Sequence, residues 1–312
     1  MFKRRNIEQS LIPKDLNITA LESRSSLFKR TIHNLKSDKA AMIGGIVLLI
    51  IIIIGFASPL LAPNDPTSVD TSKRLLGASF QYPLGTDHMG RCVLSRLMYA
   101  TRTSLITALI ILFGNLLIGI PLGLISGYKG GKIDNLIMRI ADIILTFPSS
   151  LILLAVIGIM GSNMIYMIIV LILLWWAPYA RILRSLVIKL KEQDFVMAAE
   201  AAGRSKMYIA FKHIALCSIS PVIVLATLKV SSIIMHVASY SFIGIGTQPP
   251  ASDWGIMLRD SREYLFTYPM LTFWPALVIV IVVLCLNVFG EGLKDALLPN
   301  TRMQSNSKYK GD

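Results

Sequence analysis

Charge is scarce in this chain of 312 residues: 16% are Asp, Glu, Lys or Arg, while 54% are hydrophobic. That balance excludes an ordinary water-soluble domain, because several of its apolar runs approach or exceed the roughly 20 residues that cross a bilayer. Acidic residues are the scarcer sign, 18 against 31 Lys and Arg. Within the apolar runs the one carboxylate is Asp142, which argues against a proton- or sodium-coupled carrier with mid-membrane acids. Cysteine is also sparse. Cys92, Cys217 and Cys285 lie far apart, so neither a disulfide framework nor a thiolate metal site is indicated. A phosphate-binding loop is missing as well. Its nearest approach, Gly130-Gly131-Lys132, has Ser126 and Ile133 where that motif needs Gly and Ser or Thr. Energy for any active transport therefore comes from another polypeptide.

What is present is a series of apolar runs at 41–57, 104–125, 140–161, 164–177, 222–243 and 271–288. They predict an all-α integral membrane protein with six transmembrane helices. Ahead of the first run, residues 1–39 carry nine Lys or Arg against four Asp or Glu, a lead too long for a cleaved signal. In this tail Leu27, Phe28, Ile32 and Leu35 share a helical spacing suited to an anionic membrane surface, although a solvated basic tail has the same composition. The net charge of +13 is explained by loop placement rather than by a nucleic-acid partner. Lys129, Lys132 and Arg139 follow the second run. Arg181, Arg184, Lys189, Lys191, Arg204, Lys206 and Lys212 follow the fourth. Both loops, and with them both termini, are expected on the cytoplasmic side. The segment between the first two runs is assigned outside despite Lys73, Arg74, Arg91, Arg96 and Arg102. The expected organisation is a tail (1–39), a first span (40–61), an extracytoplasmic segment with an amphipathic helix (62–101), a core (102–300) and a short tail (301–312).

One insert between apolar runs stands out, DFVMAAEAAGRSKMYIAFKHIALCSISP at 194–221. Ala198, Ala199, Ala201 and Ala202 are strong, small helix formers, and Gly203 supplies a break. A second helix from Met207 would place Tyr208, Phe211 and Ala215 on one face, with Ile214 nearby. Such a helix-turn-helix suits docking into a partner groove, and it equally suits an amphipathic helix resting on lipid.

These residues resemble the cytoplasmic coupling loop of permease subunits in bacterial ABC importers, whose pattern is Glu-Ala-Ala, three residues, Gly, then Ile-x-Leu-Pro. Ala198, Ala199 and Gly203 match it; Met197 replaces the Glu, and His213-Ile214-Ala215-Leu216 replaces the usual ending. Two further blocks, PLGTDHMGRCVLSRLMYATRTSL and SFIGIGTQPPASDWGIMLRDSREYL, are similar to the second-permease type of the peptide and nickel branch. Together with RIADIILTFPSS and NVFGEGLKDALLP, they are closer to nickel-type than to oligopeptide permeases.

The resemblance implies a type I importer permease fold, a five-helix core plus one extra N-terminal span, embedded in the bacterial cell membrane. It also implies a homologous second permease, two ATP-binding subunits that hold ATP and Mg, and an extracytoplasmic substrate-binding protein. The chain itself then has no catalytic residue and binds no cofactor. Its coupling residues would be Ala198, Ala199, Gly203, Tyr208, Phe211 and Ile214 within loop 190–220. Docking of the binding protein would fall to Asp87, Arg91, Trp254 and Arg259, and membrane-interface scaffolding is the alternative role for their blocks. Lys229, Met235 and His236 would border the pathway, seven residues bringing Lys229 and His236 to nearly one helical face. His236 is a borderline ligand suited to nickel and Met235 a soft neighbour, while a packing histidine is the plainer reading. Lys229 would meet the carboxylates of a chelator. A di- or oligopeptide cargo is the alternative within the class, and a secondary carrier or channel the alternative outside it.

Overall fold

In the computed structural model, residues 33–205 and 208–297 are described, and every helix or strand assigned among them is helical. The expected tail helix around Leu27, Phe28 and Ile32, the position Met207 and the tail 301–312 lie outside the described residues. Five helices are long and apolar enough to cross a membrane, six if one bent pair counts as a single crossing. The architecture is all-α, with five to six candidate spans.

Helix α1, Lys39–Phe56, starts where the Asp38 carboxylate accepts from the Ala40 and Ala41 amides at 3.0 and 3.1 Å, satisfying donors that a first turn leaves open. Its Ile43, Ile46, Leu49, Ile50 and Ile53 are exposed, as lipid-facing residues are in a chain seen alone. Its small residues face α11, where Ala41 and Gly44 come up against Gly292 and the Cys285 backbone. A short α2, Ser58–Leu61, follows.

Helix α3, Val93–Lys129, runs unbroken for 37 residues, about 55 Å at the α-helical rise. The separate amphipathic helix expected before residue 102 is thus the first turns of one long rod, and the boundary at 101/102 falls inside it. The reason is local. No Gly or Pro interrupts 93–113, and the Thr101 and Thr107 hydroxyls donate back to the Leu97 and Thr103 carbonyls, both at 2.8 Å.

The third apolar run is bent. Helices α4, Gly131–Thr146, and α5, Ser149–Met160, meet at 78° across Phe147-Pro148. Proline disfavours helical backbone at the residue before it, and Phe147 is accordingly extended. Hydropathy alone had merged the two arms into a straight crossing at 140–161.

Helix α6, Met164–Lys191, extends well past the expected end at 177 and carries Pro178 inside it. It lies against α3, the most extensive helix pair in the molecule. Gly119, Gly123 and Gly127 explain the closeness: a Cβ on Gly123 would sit 2.7 Å from the Ala180 carbonyl, and one on Gly127 2.7 Å from Val187 Cβ. Small residues every fourth position let two backbones touch. Beyond α6 come α7 (Asp194–Ala201), a π-helical stretch (Ile209–Ile214), α8 (Ala215–Cys217), α9 (Ile219–Phe242), α10 (Trp254–Ser261) and α11 (Met270–Leu297).

Candidate functional site

The insert after α6 folds against one end of the bundle. Helix α7 closes with two backbone bonds, Gly203 amide to Glu200 carbonyl at 2.9 Å and Arg204 amide to Ala199 carbonyl at 3.2 Å. This is a Schellman cap, which requires the positive φ of 74° that Gly203 adopts. Val196, Ile209, Ala210 and Ile214 are buried against Leu124, Tyr128, Leu183 and Val187, so the insert is seated on the ends of α3 and α6. The Tyr128 hydroxyl donates to Glu200 at 2.7 Å, and Lys191 reaches the Tyr128 carbonyl at 3.2 Å.

The second arm is not the plain helix expected from Met207. In its π geometry, residues five apart align, which turns Ile209 and Ile214 inward together and leaves Phe211 45% exposed. Ala198 and Gly203 are exposed and Ala199 half-buried. Tyr208 is flanked by Lys212 and Arg204 over its ring, at 4.9 and 5.3 Å, and bonding to Lys212 holds its hydroxyl below the usual tyrosine range. Phe195 and Met197 join Phe211 as exposed apolar residues. They bracket the buried Val196, a pattern visible in the sequence but outweighed there by the alanines. The result is a loop with one face anchored and one free.

The opposite end is organised by charge. A tight loop places Asp87 to accept from the Met89 and Arg91 amides at 2.8 and 3.0 Å. Gly90, at φ 78°, allows it, since a Cβ there would lie 1.8 Å from the Asp70 carbonyl. Asp87 then pairs with Arg91 at 2.7 Å and with Arg96, and both guanidiniums continue to Asp260, at 3.3 and 3.1 Å. Burial pushes the Asp87 carboxyl up, but Arg96 and Arg91 outweigh it and hold the group below its ordinary value. The cluster ties the segment before α3 to α10. Asp253 caps α10 through the Ile256 amide at 2.8 Å and accepts from Ser241 at 2.9 Å.

These contacts correct the expected docking role. Asp87, Arg91 and Trp254 are 5%, 3% and 0% exposed; side chains enclosed this way hold the loop together and have no surface to offer a partner. Arg259 is half-buried beside Asp260, at 3.8 Å. Asp260 and Arg96, the other half of the cluster, went unread because residues 164 apart in sequence give no local sign of pairing.

Midway along the bundle, Trp175, Pro178, Tyr179, Lys229, Ser232, Ile233 and His236 line a recess of about 180 Å³ between α6 and α9. Lys229 and His236 do share it, as their spacing predicts; Met235 is not among its walls. The His236 Nδ1 lies 2.7 Å from the Ser232 carbonyl, and Trp175 meets the ring edge-on at 5.1 Å. As a metal ligand His236 stands alone. No group of three His, Cys, Asp or Glu able to hold an ion occurs among the described residues, and the walls of the recess besides His236 and the Lys229 ammonium are aromatic, aliphatic or hydroxyl.

The geometry gives an apolar helical bundle with an insert anchored on one face and exposed on the other, and comparison with known proteins decides the family. Residues 119–303 match the family described as "Binding-protein-dependent transport system inner membrane component". The chain belongs to that family. Residues 26–79 further match the N-terminal transmembrane domain of oligopeptide transport permease C. The nickel transport system permease protein NikC of Escherichia coli K12 is 39% identical over 255 residues, 82% of this chain and 92% of the relative. The dipeptide permease DppC of Alkalihalophilus pseudofirmus is 38% identical over 290 residues, 93% and 94% of the two chains. The metal-staphylopine import permease CntC of Staphylococcus aureus is 37% identical over 279 residues, 89% and 96%. This is thus an inner-membrane permease subunit of the peptide and nickel branch of ABC importers, and the permease is not itself an enzyme.

Proposed function

We propose that this permease passes nickel or a metal chelate, delivered by an extracytoplasmic binding protein, through a pathway shared with a homologous second permease. Two partner ATPases, holding ATP and Mg, drive alternating access through the Asp194 insert. The observation that carries this reading is the two-sidedness of that insert: Val196, Ile209 and Ile214 seat it on α3 and α6, while Phe195, Met197 and Phe211 present an apolar face. Force applied to the exposed face is thereby delivered to the two helices packed most closely in the bundle. The insert and both termini face the cytoplasm in this reading, in line with the basic loops on that side. The binding protein docks at the α10 end, where Arg259 remains partly accessible.

A metal cargo is supported by the similarity to the nickel and metal-staphylopine permeases and by His236 in the recess. A di- or oligopeptide is the second reading, favoured by the 93% of this chain that aligns with the dipeptide permease.

The test is Gly203→Val. Nothing lies within 4 Å of a Cβ there, so the change acts by the left-handed backbone alone, a strain of about 1–2 kcal/mol. Uptake by the reconstituted importer should fall while ATP hydrolysis persists and the subunit remains inserted. Uptake equal to wild type would remove the coupling role from the insert.

A further inference from the structure

The basic side chains along the span helices differ in whether a carboxylate meets them. Arg184 is paired with Asp134 at 2.5 Å and Arg181 with Asp142. Lys229 has no carboxylate in ion-pair contact among the described residues, and none lines its recess. It lies ten residues into the 24-residue α9, about 15 Å from the helix start. A cation at that depth is expensive to leave unpaired.

Its surroundings define what compensates it. Lys229, Ser232, His236 and Ser239 are all exposed, and their spacing of three, four and three puts them on one face of α9. A polar stripe on a membrane helix faces water or another protein rather than lipid. The carbonyl of Ser232 only accepts, so the His236 Nδ1 carries a proton and donates to it at 2.7 Å, and in the neutral ring the lone pair is then on Nε2. Two turns of helix separate this lone pair from the ammonium, roughly 10 Å of rise. A bare divalent cation is repelled by Lys229 and finds no set of ligands. The groups instead suit a small molecule with a carboxylate at one end and a metal or amine at the other.

From this geometry we infer that the recess recognises a carboxylate of the cargo, through Lys229. The inference rests on the import reading above and narrows its cargo to carboxylate-bearing species, whether an amino-acid-type metal chelate or the C-terminus of a short peptide. Lys229 contributes a charge-assisted hydrogen bond in a setting less screened than water.

The experiment uses the complete importer, with its second permease, ATPases and binding protein, in proteoliposomes. Uptake is followed for nickel chloride, nickel–histidine, nickel–histamine, Ala-Ala and Ala-Ala amide; histamine keeps the imidazole and amine of histidine but has no carboxylate. Wild type should move the histidine complex faster than the histamine complex, or the dipeptide faster than its amide, and the arm that discriminates names the carboxylate's source. Lys229→Gln should slow the preferred probe about tenfold, the size of one charge-assisted bond, leave the carboxylate-free probe unchanged and so erase the preference. Lys229→Arg should retain it. Because the binding protein is the same throughout, its own selectivity cancels between wild type and variant. An unchanged preference in Lys229→Gln overturns the carboxylate assignment alone. Loss of co-purification with the second permease in that variant overturns it too, since the cation is then paired across the subunit interface. No uptake of any probe by wild type overturns the import reading itself.

Discussion

Asp87→Asn should open the α10 end of the molecule, and the size of the effect follows from the charges it leaves. In the wild type two guanidiniums are balanced by two carboxylates, with side-chain exposures of 3% and 2% for Arg91 and Arg96, and 6% and 14% for Asp87 and Asp260. The amide keeps an oxygen for the Met89 and Arg91 amides, so the turn survives. The charge balance does not. One Asp260 carboxylate then serves two enclosed cations, and the lost attraction is about 4 kcal/mol for one pair at 4 Å and an effective dielectric of 20. That agrees with the roughly 3–5 kcal/mol of breaking a buried pair from one side. Cys92, 2% exposed at the start of α3, reports the opening. With Cys217 and Cys285 replaced by Ser, maleimide labelling of Cys92 should accelerate on the order of a thousandfold. Adding Arg96→Met to Asp87→Asn should recover much of the loss, because one guanidinium, Arg91, then faces one carboxylate, Asp260, and the turn keeps its acceptor oxygen. Labelling changed by less than about threefold in Asp87→Asn would refute the argument.

The same cluster has a pH signature. The folded-state value of Asp87 is depressed below its ordinary 3.8, so its stabilisation is fully present above that value and is lost as pH falls through the folded value. Thermal unfolding of the wild type should therefore show no pH dependence from Asp87 between about pH 5 and 8, where its stabilisation is fully present, and a loss below about pH 4. Asp87→Asn should lack that acid limb.

How much of this was legible in the sequence depended on whether the controlling interaction was local. The spans at α1, α9 and α11 followed from length and apolarity, since the bilayer imposes both. The bend at Phe147-Pro148 was written in the sequence by the proline, but the run on either side is so uniformly apolar that hydropathy carried the eye across it. The α3–α6 contact was similarly written, in the four-residue spacing of Gly119, Gly123 and Gly127, yet a glycine spacing does not say which helix it faces. The Asp194 insert was legible because its alanines and Gly203 act on neighbours in sequence. Its anchored face was only partly so: Ile209 and Ile214 are five apart, and an α-helical template cannot align them. The charge cluster was least legible. Asp87 and Arg91 were visible as a pair of charges before a span, a position that implies a wet surface, and only the arrival of Asp260 from 169 residues away makes burial affordable.

Two predictions remain. Gly123→Ala should separate α3 from α6 and destabilise the folded subunit by about 1–3 kcal/mol, the range for overpacking a tight core, because the added methyl would sit 2.7 Å from the Ala180 carbonyl; a melting temperature equal to wild type in detergent would show that the helices part without strain. The second compares two apolar residues three apart in the Asp194 insert, Phe211→Asp and Ile214→Asp. Phe211 is 45% exposed and Ile214 is 0% exposed, so a carboxylate at 211 stays hydrated, whereas at 214 it would be buried among Leu124, Leu183 and Val187. Exposed substitutions shift stability by about 0.5 kcal/mol or less, while Ile→Ala in a core already costs about 2–5 kcal/mol and a buried charge adds to that. Phe211→Asp should therefore melt like wild type yet fail to retain ATPase subunits in a pull-down, because its lost partner is outside the chain. Ile214→Asp should lose the fold of the insert first, read as rapid amide exchange across 194–205. If Phe211→Asp retained the ATPases in full, the exposed face would not be the docking face, and the anchored and free sides of the insert would need to exchange roles.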